Sequence, residues 1–140
     1  MRILTLLPLL LALVASSATA QDFRQPAPKG AKVYFIEPAD GAKIKGAVTV
    51  KFGLVGMGVA PAGVEKKDTG HHHLLVDAKL ADLGAAIPAD DKHRHFGGGQ
   101  TETTVSLPPG RHTLQLVVGD HNHIPHNPPI MSDIITITVE

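Results

Sequence analysis

The sequence predicts an all-β protein, an immunoglobulin-like antiparallel β-sandwich of six to seven strands with long loops at one end. Three observations favour this fold. Short apolar segments rich in β-branched residues recur along the chain between clusters of glycine and proline. Within them, apolar and polar residues alternate with a period of two, as in antiparallel sheets that bury one face and expose the other. No segment has the periodicity of a long amphipathic helix, and only one short helical turn, near 81–83, is expected.

Six segments satisfy the strand pattern. Pro38 closes the first of them, and Pro-Pro-Gly at 108–110 closes the fourth. In the second, Val48, Val50 and Phe52 share one face, and the last two segments alternate in the same way. In chain order, the predicted strands are Lys32–Glu37, Ala47–Val55, His71–Asp77, Thr101–Leu107, Arg111–Val118 and Ser132–Val139.

The chain is predicted to be organised in three parts. Arg2, the apolar segment Ile3–Val14 and the small residues Ala18–Ala20 have the pattern of a secretory signal peptide, so residues 1–20 are expected to be removed by cleavage near Ala20. The apolar segment is too short for a membrane span. Residues 21–31 are polar with two prolines and predict a flexible lead-in. Residues 32–140 are predicted to form a single β-sandwich domain.

Composition excludes several classes of protein. The chain has 13 Lys+Arg and 13 Asp+Glu, so without Arg2 its net charge is −1, which argues against an electrostatic nucleic-acid binder. It has no cysteine, which excludes disulfides, thiolate nucleophiles and cysteine-ligated metal sites. The unusual feature is nine histidines, more than the four Phe and one Tyr together.

One histidine is predicted to be structural. In immunoglobulin-like domains a tyrosine near the start of the strand after the short corner bonds back to the backbone. His112 occupies that place here, two residues before Leu114 and in phase with it. We therefore expect His112 to stabilise the corner.

The other eight histidines lie in or beside three long connections, at residues 56–70, 78–100 and 119–131. Long loops in a compact domain are usually functional, and in an immunoglobulin-like order these three gather at one end. In the third strand, residues i and i+2 point to one face, so His72 is expected to face the core and His71 and His73 to point outward. The residues predicted to ligate a metal are His71, His73, His123 and His126, then His95 and His72.

Three hypotheses remain open for this cluster. Imidazole and carboxylate ligands without cysteine suit copper(II) or zinc(II), with copper first in the affinity order, and Asp120 and Glu102 would orient the ligands or add to them. Alternatively, the histidines form a hydrogen-bonded network that locks the loops in a structural or interaction module. A metal-dependent hydrolase or oxidoreductase is the third hypothesis, and it needs an open coordination position. No catalytic residues are predicted, and binding is favoured over turnover.

Three motifs resemble those of a family of small exported bacterial proteins, a domain family of unknown function. They are GHHHLL at 70–75, HFGGGQTE at 95–102 and PPGxHTLQLxxGDxxHxPH at 108–126. The resemblance spans about residues 33–139. The characteristic histidines of the family correspond here to His71, His72, His73, His95, His112, His123 and His126.

The resemblance implies a bacterial exported protein with one β-rich domain and no established activity. With the signal peptide, it predicts a periplasmic or secreted protein. The histidines, and not the resemblance, predict that this protein buffers or delivers a metal ion. The expected partners are the metal ion and another periplasmic protein, with neither nucleic acid nor a membrane span in the mature form.

Overall fold

The alternating segments form two β-sheets packed face to face. The computed structural model describes residues 22–140, and the predicted signal peptide lies outside this range. The strands, in chain order, are β1 (Lys32–Glu37), β2 (Lys43–Ile44), β3 (Val48–Val55), β4 (Gly58–Val59), β5 (Thr69–Val76), β6 (His93–His95), β7 (Glu102–Val105), β8 (Gly110–Gly119) and β9 (Ile135–Val139).

The sheet topology confirms the predicted immunoglobulin-like sandwich. One sheet has the order β1-β3-β7, and all of its pairings are antiparallel. The other has the order β2-β9-β8-β5-β4, and β6 also pairs with β5. The six predicted strands correspond to β1, β3, β5, β7, β8 and β9, with ends that differ by up to three residues.

Three short strands are not apparent from the sequence pattern, and the expected helical turn is replaced by a non-helical turn at residues 83–84. Strands β2 and β4 have two residues each and β6 has three, which is too short for a period of two to be detected. The helical turn expected near 81–83 is absent, and residues 22–140 contain no helix. No helix in this range is therefore long or apolar enough to cross a membrane.

The main core lies between the two sheets. Alternate residues of β3, β5, β8 and β9 contribute to it, because a period of two brings one side of each strand inward. Val48, Val50, Leu74, Leu114 and Ile137 are fully buried there. This core holds the histidine-bearing strand β5 in a rigid sheet.

The second face of β5 is also buried, which the sequence did not predict. Leu75 of β5 packs with Val117 of β8 and with Ile87 from the loop before β6. Leu80 and Met131 complete this smaller cluster. The predicted outward direction is correct, but the loops cover that face, so it is not exposed to water.

His112 has the predicted corner role. Its Nε2 donates to the carbonyl of Pro108 at 2.7 Å, and its Nδ1 donates to Oδ2 of Asp77 at 2.7 Å. Both partners are acceptors, so the ring is held as a doubly protonated cation. The hydrogen bond to Asp77 and that to Pro108 raise the pKa of His112. Burial opposes ionisation of Asp77, but hydrogen bonds from His112 and from the Thr113 backbone outweigh it and lower its pKa.

The three long loops meet at one end of the sandwich. The Ala62 N–H donates to the carbonyl of Gly97, and the Gly63 N–H donates to that of His121, at 2.8 and 3.0 Å. The Ile87 N–H donates to the carbonyl of His123 at 2.8 Å. Backbone hydrogen bonds therefore tie each loop to another and bring the histidines they carry towards each other.

Hydrogen bonds connect the lead-in to one of these loops. The Ala27 N–H donates to the carbonyl of Asn127, and the Asn127 N–H donates to that of Gln25, both at 2.9 Å. The Asn127 side chain also donates to Asp22 at 2.6 Å. These hydrogen bonds join residues that are far apart in the sequence, so the composition of the lead-in does not predict them.

The corner pair predicts a pH-dependent stability. The stabilisation from His112 is complete below its ordinary pKa of 6.5 and is lost as the pH rises through the raised folded value. The contribution of Asp77 is complete above its ordinary value of 3.8 and is lost as the pH falls through the lowered one. We expect H112Q, which keeps polarity but removes the charge, to cost about 1 kcal/mol between these values, because Asp77 is partly exposed.

Urea unfolding at pH 5.5 and pH 9 checks this expectation. The difference between wild type and H112Q should be larger at pH 5.5 than at pH 9. H121Q, which changes a histidine away from the corner, serves as the control. An equal difference at both pH values would contradict the charged corner.

Candidate metal centre

Strand β5 places two histidine rings on one face and a third on the other. Successive residues of a strand alternate, so His71 and His73 lie on the face covered by the loops, as predicted. His72 lies on the core face, where its ring centroid is 5.0 Å from that of Phe52. All three are buried.

Two further rings reach the His71–His73 face from neighbouring elements. His95 of β6 pairs directly with His73 in the antiparallel register, so the two share a face. His123 follows β8 in a tight loop and has a left-handed backbone, with φ of 66°. Such a conformation is uncommon for a residue other than glycine, although histidine adopts it more readily than most, and Asp68 and Asp77 of this chain share it.

Asp120 builds the loop that aims His123. Its buried Oδ1 accepts the N–H groups of Asn122 and Ile124 at 2.8 and 3.0 Å. Its carbonyl accepts the N–H of His123 at 2.9 Å. Asp120 therefore positions a cluster residue, and its charge also favours the protonated form of His71.

The four rings of His71, His73, His95 and His123 form a compact group, which we call the histidine cluster. Every pair of ring centroids is separated by 4.7 to 6.1 Å. Nε2 of His71 and Nε2 of His73 are 3.0 Å apart. One ring nitrogen each from His71, His95 and His123 lies within 4.8 Å of the other two, so these three groups are close enough to hold a metal ion. His73 is not part of this group, and its ring centroid is 6.1 Å from that of His123.

Two glycines leave space for the rings. A Cβ atom at Gly97 would overlap Cε1 of His95 and lie 2.6 Å from its Nε2. A Cβ at Gly119 would lie 3.0 Å from Nε2 of His73 and 3.3 Å from the backbone of His123. The sequence pattern alone assigns neither residue a functional role, although Gly97 lies two residues after His95 and Gly119 lies directly before Asp120.

Burial favours the neutral form of three rings of the cluster, those of His71, His73 and His95. Burial, reinforced by His95 and His123, lowers the pKa of His71 to about 4. Burial and the neighbouring His71 lower the pKa of His73 to about 3, and burial with His123 lowers that of the exposed His95. Near neutral pH these rings keep the free lone pairs that metal ligation requires.

Several buried ring nitrogens have no hydrogen-bond partner among residues 22–140. They include Nδ1 of His71 and Nδ1 of His73. Such atoms are rare in folded proteins, and a bound water or ion is one explanation for them. The cluster is therefore not a fully satisfied hydrogen-bond network within the described part of the chain.

Comparison with known proteins places this chain in a family. Residues 50–140 match the domain of unknown function DUF4399. The chain belongs to the DUF4399 family. This match confirms the resemblance expected from the three motifs and covers all four residues of the histidine cluster. No curated protein gave a significant match to this chain.

Two solved structures resemble the DUF4399 chain weakly. An endo-β-1,4-mannanase from Thermotoga petrophila has 20% identity and a TM-score of 0.46 over 87% of this chain, which spans only 21% of the mannanase. Fibronectin(III)-like modules of CbhA from Clostridium thermocellum have 10% identity and a TM-score of 0.35, over 76% of this chain and 92% of theirs. Both TM-scores are below 0.5, so neither likeness bears on function.

The remaining histidines of the DUF4399 chain lie outside the cluster. His72 was expected among the ligands, but its core-facing position separates it from its neighbours. Burial lowers its pKa to about 4, the Gln100 backbone opposes this shift, and neither ring nitrogen has a partner of normal hydrogen-bond geometry. His126 is buried against Gly70, whose Cβ would lie 3.2 Å from the ring. His93 bonds Asp90, and His121 bonds Asn122.

The two predicted carboxylates differ in position. Asp120 has the orienting role expected of it, because it shapes the loop of His123. Glu102 is an exposed residue of β7 opposite Lys51, in the sheet that does not carry the cluster. The eight histidines predicted at one end are thus divided between a four-ring cluster and separate contacts, because alternation and loop geometry send the others elsewhere.

The space left by Gly97 gives a direct test of the arrangement in the DUF4399 chain. We expect G97A to push the exposed His95 ring out of the cluster with little loss of stability, because the obstructed atoms are the far end of a side chain. In the control G58A the new methyl makes an ordinary contact, 3.5 Å from Thr69.

NMR spectra of the imidazole groups and thermal unfolding check this expectation. G97A should remove the contacts between the rings of His95 and His71, and G58A should keep them. Unchanged ring contacts in G97A would contradict the packing described for Gly97.

Proposed function

We propose that this protein binds one divalent transition metal ion through His71, His73, His95 and His123, with copper(II) the first candidate and zinc(II) the second. The observation that carries the proposal is the spacing of the four rings. Its role would be to buffer or deliver the ion rather than to catalyse a reaction.

The spacing agrees with that of four imidazoles around one ion. With a metal–nitrogen distance of about 2.0–2.1 Å, the ring centroids stand about 3.2 Å from the metal and about 5.2 Å apart at the tetrahedral angle. The observed separations run from 4.7 to 6.1 Å and average close to this value. Two nitrogens on one ion are about 2.9–3.4 Å apart, and the Nε2 atoms of His71 and His73 are separated by 3.0 Å.

The ligand type favours copper(II) and zinc(II). Neutral imidazole suits both ions, and the general affinity order places copper(II) above zinc(II). The chain has no cysteine. The cluster contains no methionine, so the soft sulfur ligands that select copper(I) are missing from it.

The number of ligands favours binding over catalysis. Catalytic zinc sites keep three protein ligands and an open position for water or substrate, whereas structural sites are closed by four. Three rings of the cluster, those of His71, His95 and His123, are close enough to share an ion, and the buried His73 beside them would supply the fourth ligand of a closed site. A hydrolase or oxidoreductase would use the three rings alone and leave His73 away from the ion.

A structural lock is the alternative, and one observation favours it. The contact between His71 and His73 at 3.0 Å is a hydrogen bond if one ring carries its proton on Nε2. This bond and the loop hydrogen bonds would hold the cluster without metal. The Nδ1 atoms of both rings are without a partner whether Nε2 binds a metal ion or the neighbouring ring, so they do not distinguish the two functions.

Metal titration of the stripped protein separates the two functions. We expect copper(II) and zinc(II) to bind with dissociation constants below about 1 μM at one equivalent, and H71A/H73A to weaken binding more than about 100-fold, since even outer-shell partners are worth about 10–100-fold. H95Q tests the same site from its exposed side without disturbing the core of β5. H121Q, whose ring bonds Asn122, is the matched control and should bind as wild type.

Isothermal titration calorimetry with circular dichroism of each variant provides the measurement. Failure of both metals to bind below micromolar, or unchanged binding in folded H71A/H73A and H95Q, would reject the metal site and leave the structural lock.

We further propose that the protein acts after export, in the periplasm or outside the cell. The amino-terminal pattern of Arg2, Ile3–Val14 and Ala18–Ala20 supports this. We expect protein isolated from the periplasmic fraction to begin at Gln21, as measured by amino-terminal sequencing. A mature chain that retains residues 1–20 in the cytosol would contradict it.

A further inference from the structure

The four rings of the histidine cluster differ in how firmly the fold holds them. His71 and His73 are buried on β5, which pairs with β8 through every residue from His71 to Val76. His95 is exposed and belongs to β6, a strand of three residues that pairs with β5. Short exposed elements with few buried contacts open most readily.

The exposed His95 is followed by Phe96, whose ring is buried in the main core beside Phe52. The Phe96 N–H donates to the carbonyl of His72 at 3.1 Å, and the Ala62 N–H donates to that of Gly97 at 2.8 Å. The neighbouring Gly63 N–H donates to His121, in the loop of His123. Residues 62–63, which we call the clasp, therefore bond both the segment that carries His95 and the loop that carries His123. The other two rings of the cluster lie on β5.

We propose that the ion enters and leaves the histidine cluster at His95, a proposal that rests on the metal site proposed above. In this exchange the bond between the metal and the His95 nitrogen breaks, and the lone pair returns to the neutral ring. A new bond forms between the metal and an incoming ligand. No electron moves, and an acceptor group that is protonated when free, such as an ammonium or a thiol, releases its proton to water as it binds. His71 and His73 hold the ion until the acceptor has supplied its further ligands.

The exposed position of His95 defines the acceptor. Transfer requires ligands of the acceptor to replace those of the protein, and the exposed ring is the one that an acceptor reaches first. The incoming group has to compete with imidazole for a borderline ion, which favours a nitrogen or sulfur ligand over water or a carboxylate. The acceptor is therefore a molecule or protein that presents such a group to the exposed side of the cluster.

Transfer kinetics with two histidine variants test the exchange. The copper(II)-loaded protein is mixed with free L-histidine, and the loss of the protein-bound copper absorbance is followed by stopped flow. H95Q removes the leaving ligand and should speed transfer at least about 10-fold, the scale of a lost metal interaction. H73Q removes a buried ligand, and it should weaken equilibrium binding more than H95Q while accelerating transfer less.

A backbone variant tests the clasp without altering any ligand. Ala62 and Gly63 are the central residues of a turn closed by the Val64 N–H and the Pro61 carbonyl at 3.1 Å, and Gly63 has φ of 80°. This is a type II turn, in which proline is favoured at the position of Ala62. A62P therefore suits the turn and removes the N–H that bonds Gly97. It should speed transfer about 2- to 10-fold, the range expected from one lost hydrogen bond, with the copper spectrum unchanged.

The outcomes separate the exchange from the metal site itself. A wild-type protein that binds neither metal overturns both proposals. If the wild-type protein binds metal but H73Q transfers copper as fast as H95Q, or A62P transfers it no faster than wild type, only the exchange at His95 is overturned. Faster transfer by H95Q than by H73Q, together with faster transfer by A62P than by wild type, supports the exchange. Hydrogen exchange of the metal-free protein gives an independent check, because the amides of Phe96 and Ala62 should exchange faster than those of β5.

Discussion

The pairing of β5 with β8 on one side and β6 on the other is the interaction on which the site depends. It makes β5 an interior strand whose two faces are both covered, one by the opposite sheet and one by the long loops. Three consecutive histidines on such a strand cannot reach water on either side. Alternation divides them, so His71 and His73 define the cluster and His72 is left in the core.

Burial of these imidazoles disfavours their charged form, and the surrounding residues leave room for the neutral rings. Desolvation disfavours the charged ring, so His71 and His73 remain neutral, with pKa values near 4 and 3. His123 adopts a left-handed backbone, and Gly97 and Gly119 leave no side chain of their own beside the rings. Residues with unfavourable backbone conformations often cluster at functional sites, because the loss of stability is accepted there in return for a precise position of the side chains.

The family to which the chain belongs has no assigned function, yet its motifs coincide with the geometry of the cluster. GHHHLL supplies the rigid pair on β5, and HFGGGQTE supplies His95 with the glycine that makes room for it. The third motif supplies the corner His112, Gly119, the orienting Asp120 and His123. In the structure, the three motifs contribute the residues of the corner that supports the fold and the four rings of the histidine cluster.

The sandwich, the six main strands, the corner role of His112 and the opposite directions of His72 and its neighbours can all be predicted from the sequence alone. These follow from local rules, since alternation and turn chemistry act over a few residues. Only the tertiary structure decided that His95 belongs to the cluster and His126 does not, and that the outward face of β5 is buried. Those outcomes depend on the register of β6 against β5, on the turn built by Asp120 and on loops far apart in the chain. A pattern of neighbouring residues carries no information on such long-range pairings.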